Sequence, residues 1–215
     1  MQYAEMFKDY LNEQAGYMDE IRSIKHDMQA HLIVLQYYLK AENYDKARAY
    51  LDGMMTNQKL WSPPVTDVGN EMVNAVIQYA LKKSKKPIEF QHRGLLPEEM
   101  DVEDMDLCTV FSNLLSNSVE ACERLEHTIG RIVLEIHTEG KNLLIIVENP
   151  IEKTVQKESL GKETSKKDKK NHGYGIRNVR AVAQKYNGKM EFDITESLFR
   201  VKILFSEVVK STLIC

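Results

Sequence analysis

A seven-residue repeat of mostly apolar and aromatic positions runs through the first forty residues, and it constrains the fold more than any other feature of the chain. Its members advance in alternating steps of four and three: Tyr3, Phe7, Tyr10, Gln14, Tyr17, Ile21, Ile24, Met28, His31, Leu35 and Tyr38. This spacing is typical of a helix whose apolar stripe packs against other helices. The sequence therefore predicts a long N-terminal helix.

A second, shorter helix is predicted over 44–55, after a turn at 41–43. It carries Ala47, Leu51 and Met54 on one side. Two antiparallel helices of unequal length do not bury both of their faces, so pairing with a second copy into a dimeric four-helix bundle is the favoured interpretation. A monomeric hairpin packed against the rest of the chain is the alternative.

Two consecutive prolines in Trp61-Ser62-Pro63-Pro64 mark a domain boundary, because they end a helix. Residues 1–62 are assigned to the hairpin and 63–215 to a second domain. The elements predicted in the second domain are a helix from a cap at Thr66 or Asp67 to about Ser84, a strand at 88–92, a helix near 104–126, a hairpin of 129–138 and 141–148 turning at Gly140, a polar loop at 152–170, a helix at 173–186, and strands at 188–194 and 199–205. This order predicts a two-layer α/β sandwich with a mixed or largely antiparallel sheet, and an α+β fold for the whole chain.

Bulk composition excludes several classes of protein. A net charge of −3 gives no reason to expect binding to nucleic acid. The longest apolar run, at 143–147, has the length of a strand, and the N-terminus lacks the features of a signal peptide. Cys108, Cys122 and Cys215 form no CxxC pair, which favours a reducing, cytoplasmic setting.

His26 and Asp27 are the first candidates for chemistry. The repeat places Ile24 and Met28 on the buried side of the helix, so His26 is predicted on the solvent side. An acidic neighbour favours one tautomer of an imidazole and leaves the other ring nitrogen as a nucleophile. An ordinary surface histidine is the plain alternative, and a zinc site is disfavoured because His26 and His31 are five residues apart.

Asn113 and Asn117 are one helical turn apart and therefore share a face of the helix predicted near 104–126. Paired amide oxygens are suited to coordinate Mg²⁺ or to hold its waters beside a phosphate chain. Gly173 and Gly175 enter the last helix, where glycines expose backbone N–H groups to an anion. The chain contains neither a Rossmann fingerprint nor a P-loop.

Taken in order, these segments resemble the cytoplasmic half of a bacterial sensor histidine kinase, most closely the Agr-type, peptide-sensing branch. The segments that carry the resemblance are IRSIKHDMQAHLIVLQYYL, Val68-Gly69-Asn70, NLLSNSVEA, Ile146-Val147-Glu148-Asn149-Pro150 and HGYGIRNV. The resemblance implies a dimerisation and histidine-phosphotransfer hairpin, followed by a GHKL-type ATPase domain that binds ATP and Mg²⁺.

The resemblance also implies roles for individual residues. His26 matches the phosphoacceptor and Asp27 its acidic neighbour. Asn117 matches the principal Mg²⁺ ligand, Asn113 the asparagine one turn earlier, Asn149 the adenine-recognising position where most kinases carry Asp, and Gly173 and Gly175 the glycines beside the phosphates. The implied partners are a second copy of the chain, a response regulator and, upstream of this chain, a membrane sensor region; nucleic acid is not expected.

Two departures from the family pattern leave alternatives open. No DxGxG follows the strand at 143–149, which favours weak ATP binding or, as the main alternative, a non-catalytic dimeric phosphotransferase or pseudokinase. A GHKL ATPase or Ser/Thr kinase acting on another protein is a third possibility. Ala30 stands four residues after His26, where relatives often carry Asn, and this predicts weak or absent phosphatase activity.

Overall fold

The computed structural model describes residues 22–54, 66–125, 129–151, 172–195 and 197–210. The helices are α1, described over 22–40, α2 (Tyr44–Met54), α3 (Glu71–Lys83), α4 (Asp104–Arg124) and α5 (His172–Lys185). The strands are β1 (Ile88–Arg93), β2 (Gly130–Glu139), β3 (Asn142–Pro150), β4 (Lys189–Ile194) and β5 (Leu198–Phe205). The chain divides into two compact units, Met1–Trp61 and Ser62–Cys215. The prolines at 63–64 and the predicted loop at 152–170 lie outside the described residues.

No helix within these ranges is long and apolar enough to cross a membrane.

In the first unit, α1 and α2 are joined by the predicted turn at 41–43. Leu35 of α1 and Ala47 of α2 are buried. His31 Nδ1 and the Tyr50 hydroxyl are 2.8 Å apart in a hydrogen bond between the two helices. The Tyr38 ring meets the Tyr50 ring edge-on, with centroids 6.1 Å apart. These contacts hold the C-terminal half of α1 against α2.

The N-terminal part of the described stripe is exposed in the single chain, and its burial in a dimeric bundle stays a prediction. Ile24 is 57% exposed and Met28 is 48% exposed. The 11 residues of α2 extend about 16 Å at the usual helical rise, so α2 reaches only the C-terminal part of α1. The other exposed large apolar residues of α1 are Leu32, Ile33, Tyr37 and Leu39. One copy of the hairpin therefore leaves most of its apolar surface uncovered.

The second unit contains a five-stranded sheet in the order β1-β2-β3-β5-β4. β1 and β2 are parallel, with Ile88 opposite Gly130, because α4 lies between them in the chain. The other neighbouring pairs are antiparallel. β2 and β3 form the predicted hairpin, turning at Gly140 with a φ of +59°. The predicted mixed sheet is confirmed.

The core of this unit lies between the sheet and a layer of helices. α4 packs on β2 and β3, α5 packs on β4 and β5, and α3 packs beside α4. Alternate residues of each strand point into this layer, as expected for a sheet with one covered face. The largest fully buried side chains include Phe111, Phe205, Ile77, Leu107, Leu115, Ile132, Leu134, Leu143, Ile145 and Ile203. The predicted two-layer α/β sandwich is confirmed.

The predicted start of α3 is wrong. The helix begins at Glu71, and its N-cap is Asn70 rather than Thr66 or Asp67. The Asn70 Oδ1 accepts a 3.0 Å hydrogen bond from the N–H of Val73, which satisfies one of the unpaired donors of the first turn.

Asp67 instead organises the turn before α3. Its Oδ1 accepts hydrogen bonds from Gly69 N at 2.9 Å and Asn74 Nδ2 at 3.1 Å. The bond from Gly69, followed by that from Asn74, holds the pKa of the Asp67 carboxyl below its usual value. Asn74 is buried, and its Oδ1 accepts from Val68 N at 2.9 Å. The Val68-Gly69-Asn70 segment therefore serves to start α3.

Candidate functional site

The candidate site is built on α4, at the level of Asn113 and Asn117. Both side chains are half-buried and share one face of the helix, as the sequence predicts. Asn113 Nδ2 donates a 2.7 Å hydrogen bond to the carbonyl of Thr109, one turn earlier. This bond fixes the amide plane of Asn113 and leaves its Oδ1 to face the neighbouring helix.

Gly175 of α5 is the residue that Asn113 meets. A Cβ atom added at Gly175 would lie 2.6 Å from Asn113 Oδ1, which is closer than such atoms approach in proteins. The structure thus brings together two of the predicted site residues, and it supplies a physical reason for glycine at 175. Gly173 lies in the first turn of the same helix, where backbone N–H groups lack partners within the helix.

Asn117 lies one turn beyond Asn113 on the same helix. Among the described residues, no group of three His, Cys, Asp or Glu side chains is placed to hold a metal ion. Mg²⁺ typically takes one or two protein ligands and completes its shell with phosphate and water oxygens. The amide oxygen of Asn117 fits that chemistry as a single protein ligand.

Asn149 lies at the end of β3, on the side of the sheet that faces α4. It is only 3% exposed, and its Oδ1 accepts a 3.0 Å hydrogen bond from the hydroxyl of Ser118. Its Nδ2 donates to the carbonyl of Pro150, also at 3.0 Å. Ser118, 2% exposed, directly follows Asn117. Ser118 therefore links the two predicted site residues, since it follows Asn117 in α4 and is hydrogen-bonded to Asn149 of β3.

Ser118 is a functional candidate that the sequence reasoning missed. The available signal was a hydroxyl between Leu115 and Val119, on the side of α4 that the sequence assigns to the core. A buried polar group needs a hydrogen-bond partner. That partner, however, is 31 residues away in the chain and could not be identified from local pattern.

A second polar cluster joins the other ends of α4 and α5. Asp106 Oδ2 accepts hydrogen bonds from Lys185 Nζ at 2.6 Å and from the Tyr186 hydroxyl at 2.7 Å. The Tyr186 hydroxyl also accepts from Glu103 N at 3.0 Å. The hydrogen bond from Lys185, followed by that from Tyr186, lowers the pKa of Asp106. Burial, followed by the hydrogen bond to Asp106, raises the pKa of Tyr186. This cluster anchors the C-terminal end of α5.

In the first unit, His26 is exposed, as are its neighbours over 22–30 of α1. Its side chain is 83% exposed and that of Asp27 is 69% exposed. His26 Nδ1 is 3.5 Å from Asp27 Oδ1. Interaction of Nδ1 with the carboxylate leaves Nε2 as the ring nitrogen that faces solvent.

Part of the chain matches a model of a known protein family. Residues 102–206 match the family model for the GHKL domain. The matched segment contains α4, all strands except β1, and α5. It includes Asn113, Asn117, Asn149, Gly173 and Gly175, and it excludes the hairpin with His26. No curated protein matches the chain.

Solved structures that resemble the chain include three of histidine kinases. The catalytic domain of histidine kinase ThkA is 20% identical, with 62% of this chain and 90% of that chain covered and a TM-score of 0.45. The mycobacterial sensor histidine kinase MprB is 11% identical, with 63% and 93% covered and a TM-score of 0.45. A histidine kinase from Burkholderia phymatum STM815 is 12% identical, with 80% and 84% covered and a TM-score of 0.49.

Proposed function

We propose that this chain is the cytoplasmic catalytic region of a two-component sensor histidine kinase. It transfers the γ-phosphoryl group of ATP to His26 and then to an aspartate of a response regulator. The observation that carries the proposal is the presence, in one chain, of a GHKL-matching segment and an exposed His26–Asp27 pair on a helical hairpin. A GHKL ATPase without a phosphoacceptor has no need of that hairpin.

In this proposal the nucleotide binds beside α4, β3 and the N-terminal end of α5. Asn117 would ligate Mg²⁺, and Asn113 lies one turn earlier on the same face of α4. Asn149 binds the adenine edge. Gly173 and Gly175 let the first turn of α5 present its N–H groups to the phosphates. The support for this arrangement is the Asn113–Gly175 contact and the GHKL match across all five positions. Bound Mg²⁺ would neutralise phosphate charge during transfer.

His26 is the nucleophile in the proposed reaction. Asp27 holds the Nδ1–H of the neutral ring, and the Nε2 lone pair attacks the γ-phosphorus in line. The bond between that phosphorus and the β–γ bridging oxygen breaks, and ADP leaves. Asp27 stabilises the positive charge that develops on the ring. Most of the rate enhancement then comes from positioning and charge neutralisation rather than from covalent chemistry by other side chains.

The proposal also assigns a role to each part of the chain. Residues 1–62 form the dimerisation and phosphotransfer hairpin, and 63–215 form the ATP-binding domain. The uncovered apolar side chains of α1 support pairing with a second copy. A response regulator is the expected phosphoryl acceptor. Assignment to the Agr-type, membrane-anchored branch rests on the order of the sequence motifs.

The test is incubation with γ-labelled ATP and Mg²⁺. We expect label on the wild-type protein, stable to base and labile to acid as a phosphohistidine is, and none on His26→Gln. His31→Gln is the matched control, because it removes the other histidine of α1 while leaving an amide to meet Tyr50. Equal labelling of wild type and His26→Gln would overturn the assignment of His26.

A non-catalytic dimeric phosphotransferase or pseudokinase is the second candidate. It is favoured by the absence of DxGxG after β3. Isothermal titration of the full chain with ATP and Mg²⁺ separates the two. Binding heat together with labelling supports the kinase, whereas a chain that binds no ATP but accepts phosphoryl groups on His26 from a phosphorylated regulator supports the alternative.

A further inference from the structure

We propose that Ser118 is the positioning residue for Asn149. Because of this pairing, the position that contacts the base requires an amide rather than a carboxylate. The inference rests on the proposed function, because it places the base of a nucleotide beside Asn149. It accounts for the asparagine at the position where the resembling kinases carry an acid.

The orientation of the Asn149 amide follows from its two neighbours. The Pro150 carbonyl only accepts hydrogen bonds, so the Asn149 atom 3.0 Å from it is the NH₂ group. This places Oδ1 toward Ser118, whose hydroxyl donates at 3.0 Å. Ser118 and Asn149 are 2% and 3% exposed, so water does not replace either contact. One donor and one acceptor therefore hold the amide in a single orientation.

An amide held in this way has hydrogen-bonding capacity left for a ligand. Asparagine offers two N–H donors and two lone pairs, and the contacts with Ser118 and Pro150 use one of each. The remaining donor and acceptor belong to one planar group. They match a base edge that presents an amino group beside a ring nitrogen, as adenine does. A carboxylate would offer acceptors alone and would meet only the amino group.

A carboxylate does not fit these surroundings. Asn149→Asp would place a charged oxygen against the Pro150 carbonyl at the position of Nδ2, and two acceptors repel each other without water between them. Only the protonated acid would reproduce the donor. Glu148, the residue before Asn149, pairs with Arg200 of β5, but strand alternation points those side chains to the opposite face of the sheet.

The first experiment measures Mg·ATP binding by titration calorimetry in wild type and Asn149→Asp. At about pH 8 we expect binding to be weaker by about tenfold or more in the variant, the effect of an unmade buried hydrogen bond. Toward pH 5 the difference should narrow, since the new carboxyl gains a proton as the pH approaches its ordinary range. Asn142→Asp is the matched control on the same strand, because its oxygen accepts from Glu207 N, a contact that a carboxylate keeps.

The second experiment tests Ser118 with ATP and ITP, whose bases present opposite edges: adenine has an amino donor beside the N1 acceptor, and hypoxanthine has a carbonyl acceptor beside an N1–H donor. Ser118→Ala should weaken ATP binding about fivefold and reduce the preference for ATP over ITP, because the amide keeps only one of its two anchors. Ser118→Thr, which retains the hydroxyl, should restore both values. A fall in melting temperature with an unchanged ATP-to-ITP ratio would show a merely structural role and overturn the proposal.

Failure of this inference is distinct from failure of the proposed function. Wild type that binds ATP while Asn149→Asp binds it equally well or better at about pH 8 overturns the inference alone. Wild type that binds no ATP overturns the proposed function. In that event the melting temperatures of wild type and Asn149→Asp still test the hydrogen bonding of Asn149. A difference in melting temperature that widens from about pH 5 to about pH 8 supports the inference, and a constant difference overturns it.

Discussion

The two units of the chain differ in how much apolar surface each one covers by itself. In the described part of the hairpin, Leu35 and Ala47 are the buried apolar residues, while six large apolar residues of α1 are at least 48% exposed. In the α/β unit, Phe111 and Phe205 are fully buried between sheet and helices. Two layers close around a core, whereas two helices of unequal length do not. In the described residues, the α/β unit therefore buries a core of its own, whereas the hairpin leaves these apolar side chains of α1 exposed.

The largest expected contrast is between a core residue of one unit and an exposed aromatic residue of the other. Phe111→Ala should lower the free energy of unfolding of the α/β unit by about 3–5 kcal/mol. Tyr44→Ala, on a 64% exposed side chain of α2, should change the free energy of unfolding of the hairpin by no more than about 0.5 kcal/mol. Urea unfolding followed by circular dichroism measures both. Similar losses in the two variants would remove the contrast.

The second contrast concerns self-association. Changing Ile24 and Met28 together to Asp should weaken dimerisation by about 3 kcal/mol, or roughly 100-fold, because both side chains are expected to be buried by the partner copy. Ile129→Asp is the control, since Ile129 is 74% exposed in the α/β unit. Sedimentation equilibrium gives the dissociation constants. Unchanged association in the double variant would place the dimer contact elsewhere.

Each unit also contains a helical glycine, and the two should respond oppositely to alanine. Gly175→Ala should destabilise the α/β unit by about 1–3 kcal/mol and weaken ATP binding, because the new Cβ meets Asn113. At Gly53 of α2 a Cβ meets nothing within 4 Å, so Gly53→Ala should stabilise the hairpin by about 0.5–1 kcal/mol. Calorimetric melting measures both; destabilisation by Gly53→Ala would contradict the open surroundings.

The smallest expected effect is pH-dependent and confined to the α/β unit. The lowered pKa of Asp106 means that its stabilising effect is present above the ordinary carboxyl value of about 3.9 and is lost as the pH falls through the lowered value. Asp106→Asn should therefore cost about 1 kcal/mol at neutral pH and progressively less in acid. Asp52→Asn, on an exposed position of α2, should leave the stability of the chain nearly unchanged. A pH-independent loss in Asp106→Asn would rule out ionisation as the cause.

The helices and strands predicted in the α/β unit are confirmed because apolar periodicity reports directly on which faces a sheet and its helices must bury. The predicted start of α3 is wrong for a physical reason. Thr66, Asp67 and Asn70 are all good caps, and the choice depends on a distant contact. The N–H of Leu96 donates to the Val68 carbonyl at 2.8 Å, and Gly69 turns the chain with a φ of +83°, so the helix begins only after Asn70.

In the hairpin, too, the sequence pattern predicts local structure but not the contacts between distant residues. Over the described residues 22–40 the repeat correctly predicts a helix, because its spacing depends only on helical geometry. It does not determine whether Ile24 and Met28 are covered. That depends on how far α2 extends beside α1 and on which other chain packs there.

The sequence by itself determined the order of helices and strands, the two-part organisation and the amides and glycines of the candidate site. The elements and the shared face of Asn113 and Asn117 follow from spacing along single elements, the domain boundary follows from the two prolines, and Asn149 is assigned from the family resemblance alone. Only the tertiary structure placed Gly175 against Asn113 and Ser118 against Asn149. Those contacts join residues 62 and 31 positions apart, and they form because the packed core brings α4, β3 and α5 together. Packing of the sheet against its helices, rather than any local pattern, decided which polar groups face each other.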